Sequence, residues 1–597
     1  MGVGEGGGEL VKQLLKKTYD LPYPEVICVY LTGKPVIGVG PQDVALAIIG
    51  ATFQNGYVKN KVMEFVGDGI SNLSVDFRNG IDVMTTETAC LSSIWQTDNA
   101  VKEYYDIHGR PGSFKEITPG EIAYYDGAIY IDLSKIRPMI ALPFHTSNAN
   151  KIEDLKKNLK DILQETEQRA KSLIKGSVQY TLTDKIVNGN IKVDQGVVAG
   201  CAGGTFDNIV DMATIIGNHK LGNDIFALSI YPDSQPVMLD LMKKNILPDL
   251  ISVGATIRTA FCGPCFGAGD VPANRQLSIR HITRNFPNRE GSKPGDGQIA
   301  SVALMDARSI AATAINGGML TAATELEGIK FDRTAFYFDK TVYDSRVYDG
   351  FGNPLPEEQL QYGPNIVDWP EMGKLEKHLL LGVASVITDP VTTTDELIPS
   401  GDASTYRSSP VRMSEFTLFR KDPAYVGLAK KYHEAEKYRL SGKDPSEVLP
   451  ELTDLLSKIN SIQGIQNIDL KEIGLGSLIC AVRPGDGSAR EQAASCQRVL
   501  GGCANIAKEY ATKRYRSNLI NWGIIPFLSD ALPELQSGDY IFIPNIQDMI
   551  KDSVEKIIGY LIRKEDIKEV ELTIGDMTES ERQILASGSL INYYSTE

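Results

Sequence analysis

Two cysteines at CxxC spacing are the most specific chemical feature of the sequence, within Phe261-Cys-Gly-Pro-Cys-Phe-Gly-Ala-Gly-Asp270. A thiol–disulfide site would need a helix that begins at Cys262, because a helix N-terminus lowers the thiol pKa. The residues after Cys265 include two glycines and a proline within seven positions, and these residues disfavour a helix. The sequence therefore disfavours a redox role for this pair, which stays open as an alternative.

A metal site is the other chemistry that this spacing suggests. Structural zinc would need two further Cys or His ligands, but the six histidines are isolated and no second CxxC pair exists. Cys201, alone in a glycine-rich turn, is the best candidate for a third sulfur, and three thiolates suit an iron–sulfur cube with one unligated iron. The remaining cysteines lie in apolar or helical patterns and are expected to pack inertly: Cys28, Cys90, Cys480, Cys496 and Cys503.

Downstream of the CxxC pair, a segment of ten residues contains three arginines, Arg280, Arg284 and Arg289. A solvated basic loop is the simplest interpretation of such a cluster. Guanidinium groups also bind carboxylates bidentately, and the closeness of the cluster to Cys265 favours an anion site.

A second candidate site begins at Ser488, between a strand-like segment and a helical pattern. Ser488 and Glu491 have capping-box spacing, so Ser488 could simply cap that helix. A helix N-terminus after a glycine-rich turn also binds anions, and Arg490 beside it would stabilise a serine alkoxide. The two roles are compatible.

The elements that must position these residues alternate between strands and helices. From 195 to 330 a short strand runs into the Cys201 turn and then into a helix from Phe206, which is an α/β pattern. Other expected elements are a strand at 25–31, helices at 41–53, 151–174 and 303–316, an irregular linker at 340–375, and a further α/β segment at 380–597.

Composition and charge exclude several classes of protein. With 61 Lys and Arg against 76 Asp and Glu, the net charge of −15 argues against nucleic-acid binding. The longest apolar runs are too short to span a bilayer, and the start of the chain has no signal-peptide pattern. We therefore expect a cytoplasmic protein without a membrane partner.

Taken together, these motifs resemble the aconitase family of hydro-lyases over nearly the whole chain. The first part, with VICVYLTGKP, MEFVGDG and Met84-Thr-Thr-Glu87, is similar to the second domain of that family. The order of the remaining motifs also matches: AGCAGGTFDN, CGPCFGAGD, TRNFPNR, Thr393-Thr-Asp395, Arg407, GDGSAREQA and LASGSLINYY. The resemblance implies a multidomain α/β fold of three-layer α/β domains plus a C-terminal swivelling domain. Its expected bounds are 1–135, a cluster-binding domain at 136–345, a linker at 346–380 and the swivelling domain at 381–597.

The resemblance also implies a role for each matching residue. Cys201, Cys262 and Cys265 would bind a 4Fe-4S cluster. Substrate carboxylates would be held by Arg284, Arg289, Arg407 and Arg490. Ser488 would be the base that removes a carbon-bound proton, and Glu87 would support the acid side of the site. The implied reaction is dehydration and rehydration of a di- or tricarboxylic acid, with citrate/isocitrate interconversion through cis-aconitate as the leading case.

The chain departs from the family pattern in ways that bear on substrate and partners. The usual Cys-Thr-Asn is Cys201-Ala-Gly, the second serine after the base is Ala489, and an Asp-His pair is Asp395-Glu396. The family's first domain, which supplies aspartate–histidine acids, has no counterpart in the sequence. We expect truncation, a separate subunit that supplies this domain, or lost activity; a non-catalytic or RNA-binding relative is the alternative function, and a CGPC oxidoreductase the third.

Overall fold

The computed structural model describes the whole chain except residues 1, 4–6, 17–22, 175–178, 222–225, 294–295, 332–333, 349, 360, 400–401, 466–467, 488–489, 565 and 596–597. The chain divides into two compact units. The first comprises Met1–Gly4 and Tyr23–Pro356, and the second comprises Glu5–Pro22 and Glu357–Glu597. Within the described residues, the structure has no helix with the length and apolarity to cross a membrane.

A five-stranded sheet opens the first unit, with strand order β1-β4-β3-β2-β5. Its strands are β1 (Gly2–Val3), β2 (Val26–Thr32), β3 (Val62–Val66), β4 (Ser92–Trp95) and β5 (Gly127–Asp132). Its helices are α2 (Pro41–Thr52), α3 (Val75–Thr85) and α4 (Asn99–Ile107), while α1 (Gly7–Lys16) groups with the second unit. Alternate residues of β2, namely Ile27, Val29 and Leu31, are fully buried in the core of this layer, as the period of a strand requires.

A seven-stranded sheet follows, with order β12-β11-β10-β13-β14-β6-β7. Its strands are β6 (Met139–Ala141), β7 (Ala149–Lys151), β10 (Gln195–Ala199), β11 (Ala227–Tyr231), β12 (Thr256–Ile257), β13 (Leu277–His281) and β14 (Ser301–Met305); β8 (Ile186–Val187) and β9 (Asn190–Ile191) form a separate pair. Its helices are α5 (Ile152–Lys157), α6 (Leu159–Leu173), α7 (Gly200–Gly203), α8 (Phe206–Ile216), α9 (Gln235–Lys243), α10 (Ile246–Ser252), α11 (Ala307–Ile315) and α12 (Thr341–Asp344).

Two helices differ from the expected bounds for local reasons. The helix expected over 151–174 is two helices, α5 and α6, with Asn158 between them outside helical geometry. The helix expected from residue 303 begins at Ala307, because Ser301–Met305 is a buried strand and Asp306 caps the helix by accepting from the Arg308 amide. Among its described residues, the segment 340–375 is largely irregular, as expected, and its only α-helix is the short α12.

The order of the parallel strands creates a crevice beside β10. β10 pairs in parallel with β11 on one side and with β13 on the other. In open α/β sheets, ligands bind outside the carboxyl ends of the strands where the winding direction reverses. The turn after β10 and the loop after β13 meet this requirement.

A buried polar junction joins the two sheets of this unit. Asp43 of α2 accepts from the Gly40 amide at 2.9 Å and from the Met139 amide at 2.8 Å. Asp306 lies beside Gly40, where an added Cβ would stand 2.1 Å from its carboxylate, and pairs with Arg308 at 3.0 Å. Burial and the nearby Asp306 raise the pKa of Asp43. The two layers are therefore held together by the buried carboxyl group of Asp43 beside the buried Asp306–Arg308 ion pair.

The second unit is a closed barrel of seven strands, in the order β15-β17-β19-β20-β23-β22-β21. The strands are β15 (His378–Ile387), β17 (Ile473–Ala481), β19 (Gly502–Ala507), β20 (Ile525–Leu528), β21 (Tyr540–Ile543), β22 (Lys556–Ile562) and β23 (Ile567–Thr573), with a small pair β16 (Thr392–Thr393) and β18 (Pro484–Asp486). The helices are α13 (Thr394–Leu397), α14 (Pro410–Ser414), α15 (Tyr425–Leu440), α16 (Leu452–Ser461), α17 (Arg490–Val499), α18 (Lys513–Asn521), α19 (Ile546–Lys551), α20 (Glu579–Ser587) and α21 (Leu590–Ser595).

These elements confirm the multidomain α/β fold. The first two sheets lie within the ranges 1–135 and 136–345, and the barrel begins at His378, just before the expected start at 381. The clustering of contacts places the first two sheets in one unit. The exact bounds and the swivelling of the last domain stay predictions.

Candidate active site

Cys201 lies in the turn that directly follows the central strand β10. Gly200, the residue before it, has a φ of +66°, a backbone conformation that residues other than glycine rarely adopt. The next two glycines approach other strands closely: a Cβ at Gly203 would lie 2.3 Å from the His281 carbonyl oxygen, and one at Gly204 would lie 2.2 Å from that of Tyr231. The glycine-rich sequence therefore packs the Cys201 turn onto the carboxyl ends of β11 and β13.

Cys262 and Cys265 lie in a tight loop between β12 and β13. Gly263–Cys265 is a single 3-10 turn, and no α-helix follows it in the described segment 266–276. The loop closes on itself, because the Ala268 amide donates to the Gly263 carbonyl at 3.0 Å and a Cβ at Gly263 would lie 1.8 Å from the Ala268 oxygen. This geometry lacks the helix that a thioredoxin-like thiol requires.

The three predicted cysteines form one electrostatically coupled group. A hydrogen bond with Cys262 and burial raise the pKa of the Cys265 thiol well above its ordinary value, and the charges of Cys262 and Cys201 add to this. Cys201 reaches the surface, yet burial among its neighbours and Cys262 raise its pKa, while Arg284 opposes the change. The thiols of Cys201 and Cys265 therefore both interact with Cys262 in the folded chain.

Arg284 joins this group to Glu87 of the five-stranded layer. The Nη2 atom of Arg284 lies 2.6 Å from Glu87 Oε1, and both side chains are largely buried. Glu87 is placed by a 3-10 turn, Thr86–Thr88, that ends at Ala89 in the left-handed conformation. The Nε–H of Arg284 is buried without a hydrogen-bond partner among the described residues. Such a donor is a ready binding point for a carboxylate.

Arg289 is the second predicted arginine of this loop. It is buried, and its Nε donates to the Cys265 carbonyl oxygen at 2.8 Å. Arg289 thus supports the cysteine loop directly, in addition to any contact with substrate.

The donor set fits an iron–sulfur cluster better than a single ion. In the described part of the chain, no three His, Cys, Asp or Glu side chains converge as ligands of one metal ion. Cluster cysteines bind different irons, so they surround a space rather than meet at one point. A Cβ on Gly200 would stand 3.9 Å from Cys265 Sγ, so the absence of a side chain there leaves room between Cys201 and Cys265.

The second unit contains the other predicted site residues. Ser488 lies outside the described residues, and so does the side chain of Arg490, the first residue of α17. The preceding turn is firmly held: Thr512 Oγ1 donates to the Gly485 carbonyl at 3.3 Å, and a Cβ at Gly485 would lie 2.3 Å from the Tyr515 ring. Gly485 and Gly487 have φ values of +98° and +119°.

The Thr393–Asp395 motif lies beside that turn. β16 pairs in parallel with β18 through Thr392 with Pro484 and Thr393 with Asp486. Thr393 caps α13, and Glu396 completes the capping box by accepting from the Thr393 amide at 2.8 Å. The structure therefore brings together two motifs that are about 90 residues apart in the sequence. Arg407, which follows the 3-10 turn Ser404–Tyr406, is exposed.

Sequence reasoning missed the role of Arg280. It was grouped with Arg284 and Arg289 as a carboxylate-binding loop, but it lies on β13 and is fully buried. A sequence signal existed: Ser278 and Arg280 are polar residues two apart in an apolar strand, which places both on one face.

Comparison with known proteins identifies the family of the chain. The model of the Aconitase family (aconitate hydratase) matches residues 1–312, and that of the Aconitase C-terminal domain matches residues 475–531. Because the first match covers more than half of the chain, the protein belongs to the aconitase family, as its motifs predicted.

Individual relatives match the first half of the chain. The 3-isopropylmalate dehydratase large subunit of Acetivibrio thermocellus is 27% identical over 288 residues, 48% of this chain and 60% of that protein. The mitochondrial homoaconitase of Debaryomyces hansenii is 27% identical over 321 residues, 51% of this chain and 41% of that protein. The chain thus spans about 60% of the length of the dehydratase subunit that it matches.

A solved structure of 3-isopropylmalate dehydratase from Methanocaldococcus jannaschii is 21% identical and covers 37% of this chain and 94% of its own. Its TM-score is 0.22, which is too low to bear on the fold.

Proposed function

We propose that the protein is an iron–sulfur hydro-lyase that removes water from, and adds water to, a small polycarboxylic acid. The observation that carries the proposal is the coupled group of Cys201, Cys262 and Cys265 beside Arg284, whose buried Nε–H has no partner among the described residues. Sulfur ligands and a desolvated guanidinium in one crevice suit a cofactor-assisted reaction on a carboxylate. Relatives named as dehydratase and homoaconitase support the same reaction class.

The residues of the first unit would bind cofactor and substrate. Cys201, Cys262 and Cys265 would hold a 4Fe-4S cluster, which when bound supplies a Lewis-acidic iron for a hydroxyl and a carboxylate. Arg284 would bind a substrate carboxylate through its Nε–H, while its Nη2 stays paired with Glu87 at 2.6 Å. Glu87 would also support proton transfer to the leaving hydroxyl.

The residues of the second unit would remove the proton from carbon. Ser488 would take that proton, with Arg490 and the α17 N-terminus stabilising its alkoxide. Arg407 and Arg490 would bind substrate carboxylates. The turn that precedes Ser488 places Gly485 against the Tyr515 ring.

The substrate class follows from the number of arginines. Four arginine positions favour a tricarboxylic acid, and citrate/isocitrate through cis-aconitate is the first candidate. The names of the relatives suggest two further candidates, 3-isopropylmalate and homoaconitate. Parallel assays of the three hydrations at equal cluster content would rank them.

The decisive experiment is anaerobic reconstitution followed by iron and sulfide analysis and an EPR spectrum. We expect about four irons and four sulfides per chain in full occupancy, and an absorbance near 400 nm. Reconstituted protein that holds no iron would refute the proposal.

A thiol oxidoreductase is disfavoured by the thiol environment. Such enzymes lower the pKa of their attacking cysteine, whereas the pKa values of Cys201 and Cys265 are raised.

A separate subunit that supplies further catalytic groups remains part of our proposal, because the first relatives are large subunits by name.

A further inference from the structure

Arg280 is the largest fully buried side chain of the described chain, and all its bonds are to neutral oxygens. Its Nη1 donates to the Pro264 carbonyl at 2.7 Å, and its Nη2 donates to the Asp270 carbonyl at 2.6 Å. Its other bonds are to the sheet: Nε donates to Ser278 Oγ at 3.0 Å and Nη2 to Gln195 Oε1 at 3.2 Å. One guanidinium therefore ties both ends of the 264–270 loop to β10 and β13.

Asp270, at the far end of that loop, is itself anchored. Its carboxylate accepts from Ser229 Oγ at 2.9 Å and from the hydroxyl of Tyr231, both on β11. Its φ of +47° shows that the chain turns sharply there. The Asp270 carbonyl is thus presented to Arg280 by a fixed residue, not by a mobile loop end.

The hydrogen bonds of Arg280 distinguish it from the arginines that we propose bind substrate. Four of its N–H groups are used by protein oxygens, so few donors are left for a carboxylate. Its bonds to the Pro264 and Asp270 carbonyls connect it to the cysteine loop instead.

We propose that Arg280 is a positioning residue that holds the 264–270 loop, and with it Cys262 and Cys265, in place for cluster binding. The cluster itself rests on the proposed function. The order that Arg280 imposes on the loop exists without the cluster and can be measured in the metal-free chain.

The test is hydrogen–deuterium exchange on the full, metal-free chain with Arg280→Lys. Lysine keeps the charge but cannot bridge the Pro264 and Asp270 carbonyls with one planar group. Loss of one charge-assisted bond should speed exchange of the 262–270 amides by about tenfold, while β10 keeps its protection. After reconstitution, the variant should also lose iron to a chelator about tenfold faster, with its visible spectrum as the readout.

A matched control is Arg78→Lys. Arg78 is also buried and also donates to backbone carbonyls, those of Leu73 at 3.0 Å and Ile70 at 3.1 Å, but it lies in the five-stranded layer. We expect this variant to leave exchange at 262–270 unchanged. Equal loop exchange in Arg280→Lys and the wild type, or faster exchange spread evenly over the seven-stranded sheet, would overturn the proposal.

A milder variant covers the case in which Arg280→Lys does not fold. Ser278→Ala removes the bond from Arg280 Nε and the bond that Ser278 Oγ donates to Gln195 Oε1 at 2.7 Å, while it leaves the bonds of Arg280 to the Pro264 and Asp270 carbonyls in place. It should raise loop exchange by about two- to threefold. No change in that variant would count against the proposal. If wild-type protein binds no cluster, the proposed function fails, and the exchange comparison still decides whether Arg280 orders the loop.

Discussion

At the scale of single residues, the eight cysteines differ in their burial and in the groups that surround them. Cys480 and Cys496 are enclosed in the barrel unit, and burial raises their pKa values far above the ordinary thiol value. Cys201 and Cys262 are exposed and are coupled to a third sulfur. A buried, isolated thiol is inert, whereas exposed and adjacent thiols can reach iron.

We predict that Cys201→Ser, Cys262→Ser and Cys265→Ser each abolish the brown absorbance of reconstituted protein. A serine hydroxyl is a poor ligand for cluster iron, and loss of one of three ligands leaves too few. Iron analysis and the visible spectrum measure the effect. Cys28→Ser and Cys90→Ser, both changes of buried cysteines, serve as controls and should keep full iron. Full iron in Cys201→Ser with loss in Cys28→Ser would show that the third ligand is misassigned.

Ser488 allows a numerical distinction between a cap and a base. If it only caps α17, Ser488→Ala should lower stability by about 0.5–2 kcal/mol, and Ser488→Asn should restore it without loss of function. As the base, its loss should leave iron and substrate affinity nearly intact while turnover falls by about 10²- to 10⁴-fold. We expect the second result, measured as loss of deuterium from the methylene of labelled substrate. An active Ser488→Asn variant would contradict it.

At the scale of elements, α3 and α8 cap each other within the first unit. Ser74 Oγ caps α3 and donates to Asp207 Oδ2 at 2.6 Å, while Asp76 Oδ2 accepts from the Asp207 amide at 3.1 Å. Thr205, the formal N-cap of α8, makes no side-chain capping bond. These hydrogen bonds hold α8, which follows the Cys201 turn, against the layer that carries Glu87.

This arrangement predicts an unusual dependence of stability on pH. Burial and the nearby Asp207 raise the pKa of Asp76 to about 7. Between the ordinary Asp pKa near 4 and about 7, the folded chain holds a proton that the unfolded chain has lost, so this group makes stability fall as pH rises. Asp76→Asn should flatten that slope and raise stability at pH 8 by about 1–3 kcal/mol, measured by denaturant unfolding.

Asp98 is the matched control because its shift has the opposite sign. Burial acts to raise its pKa, but the hydrogen bond and charge of Arg78 outweigh burial, and the net pKa is lowered. The contribution of Asp98 to the free energy of unfolding is present above the ordinary Asp pKa, and it is lost as the pH falls through the lowered pKa of the folded chain. Asp98→Asn should therefore destabilise the protein at pH 7. Equal slopes in wild type and Asp76→Asn would show that Asp76 does not titrate as described.

At the scale of the whole molecule, the chain matches part of the length of its relatives. The matched region is 60% of the length of the dehydratase large subunit, so the activity of the chain alone is a proposal. The net charge of −15 over 597 residues gives no long-range attraction to nucleic acid, which favours the enzymatic proposal over an RNA-binding one.

If a separate subunit supplies the general acid, as proposed above, we expect the reconstituted chain alone to turn over about 10²- to 10⁴-fold more slowly than the chain with that subunit, because this is the usual cost of losing one well-placed general acid. Adding a polypeptide equivalent to the unmatched part of the dehydratase large subunit should raise turnover by that order, in a steady-state hydration assay. Robust activity of the purified chain without any addition would show that residues 1–597 contain the acid.

Local patterns were sufficient to select the residues of the candidate site. The glycines around Cys201, the CxxC pair and the short spacing of Arg284 and Arg289 are features of neighbouring residues, and neighbours share one turn or loop wherever it lies. The strand at 25–31 and the helix at 41–53 were also predictable, because their apolar periodicity reflects one buried face. The break at Asn158 was not, since the apolar pattern continues through it.

What the sequence alone determined is therefore the family, the α/β fold class and the residue types available for chemistry, because motifs and periodicity act over short distances. Only the tertiary structure decided which of those residues touch. Arg280 meets Gln195, 85 positions earlier, and Arg284 meets Glu87, because β10 and β13 are neighbours in the sheet and the Asp43–Asp306 junction joins the layers. Contacts between residues so far apart depend on strand order and layer packing, which the spacing of residues along the chain does not specify.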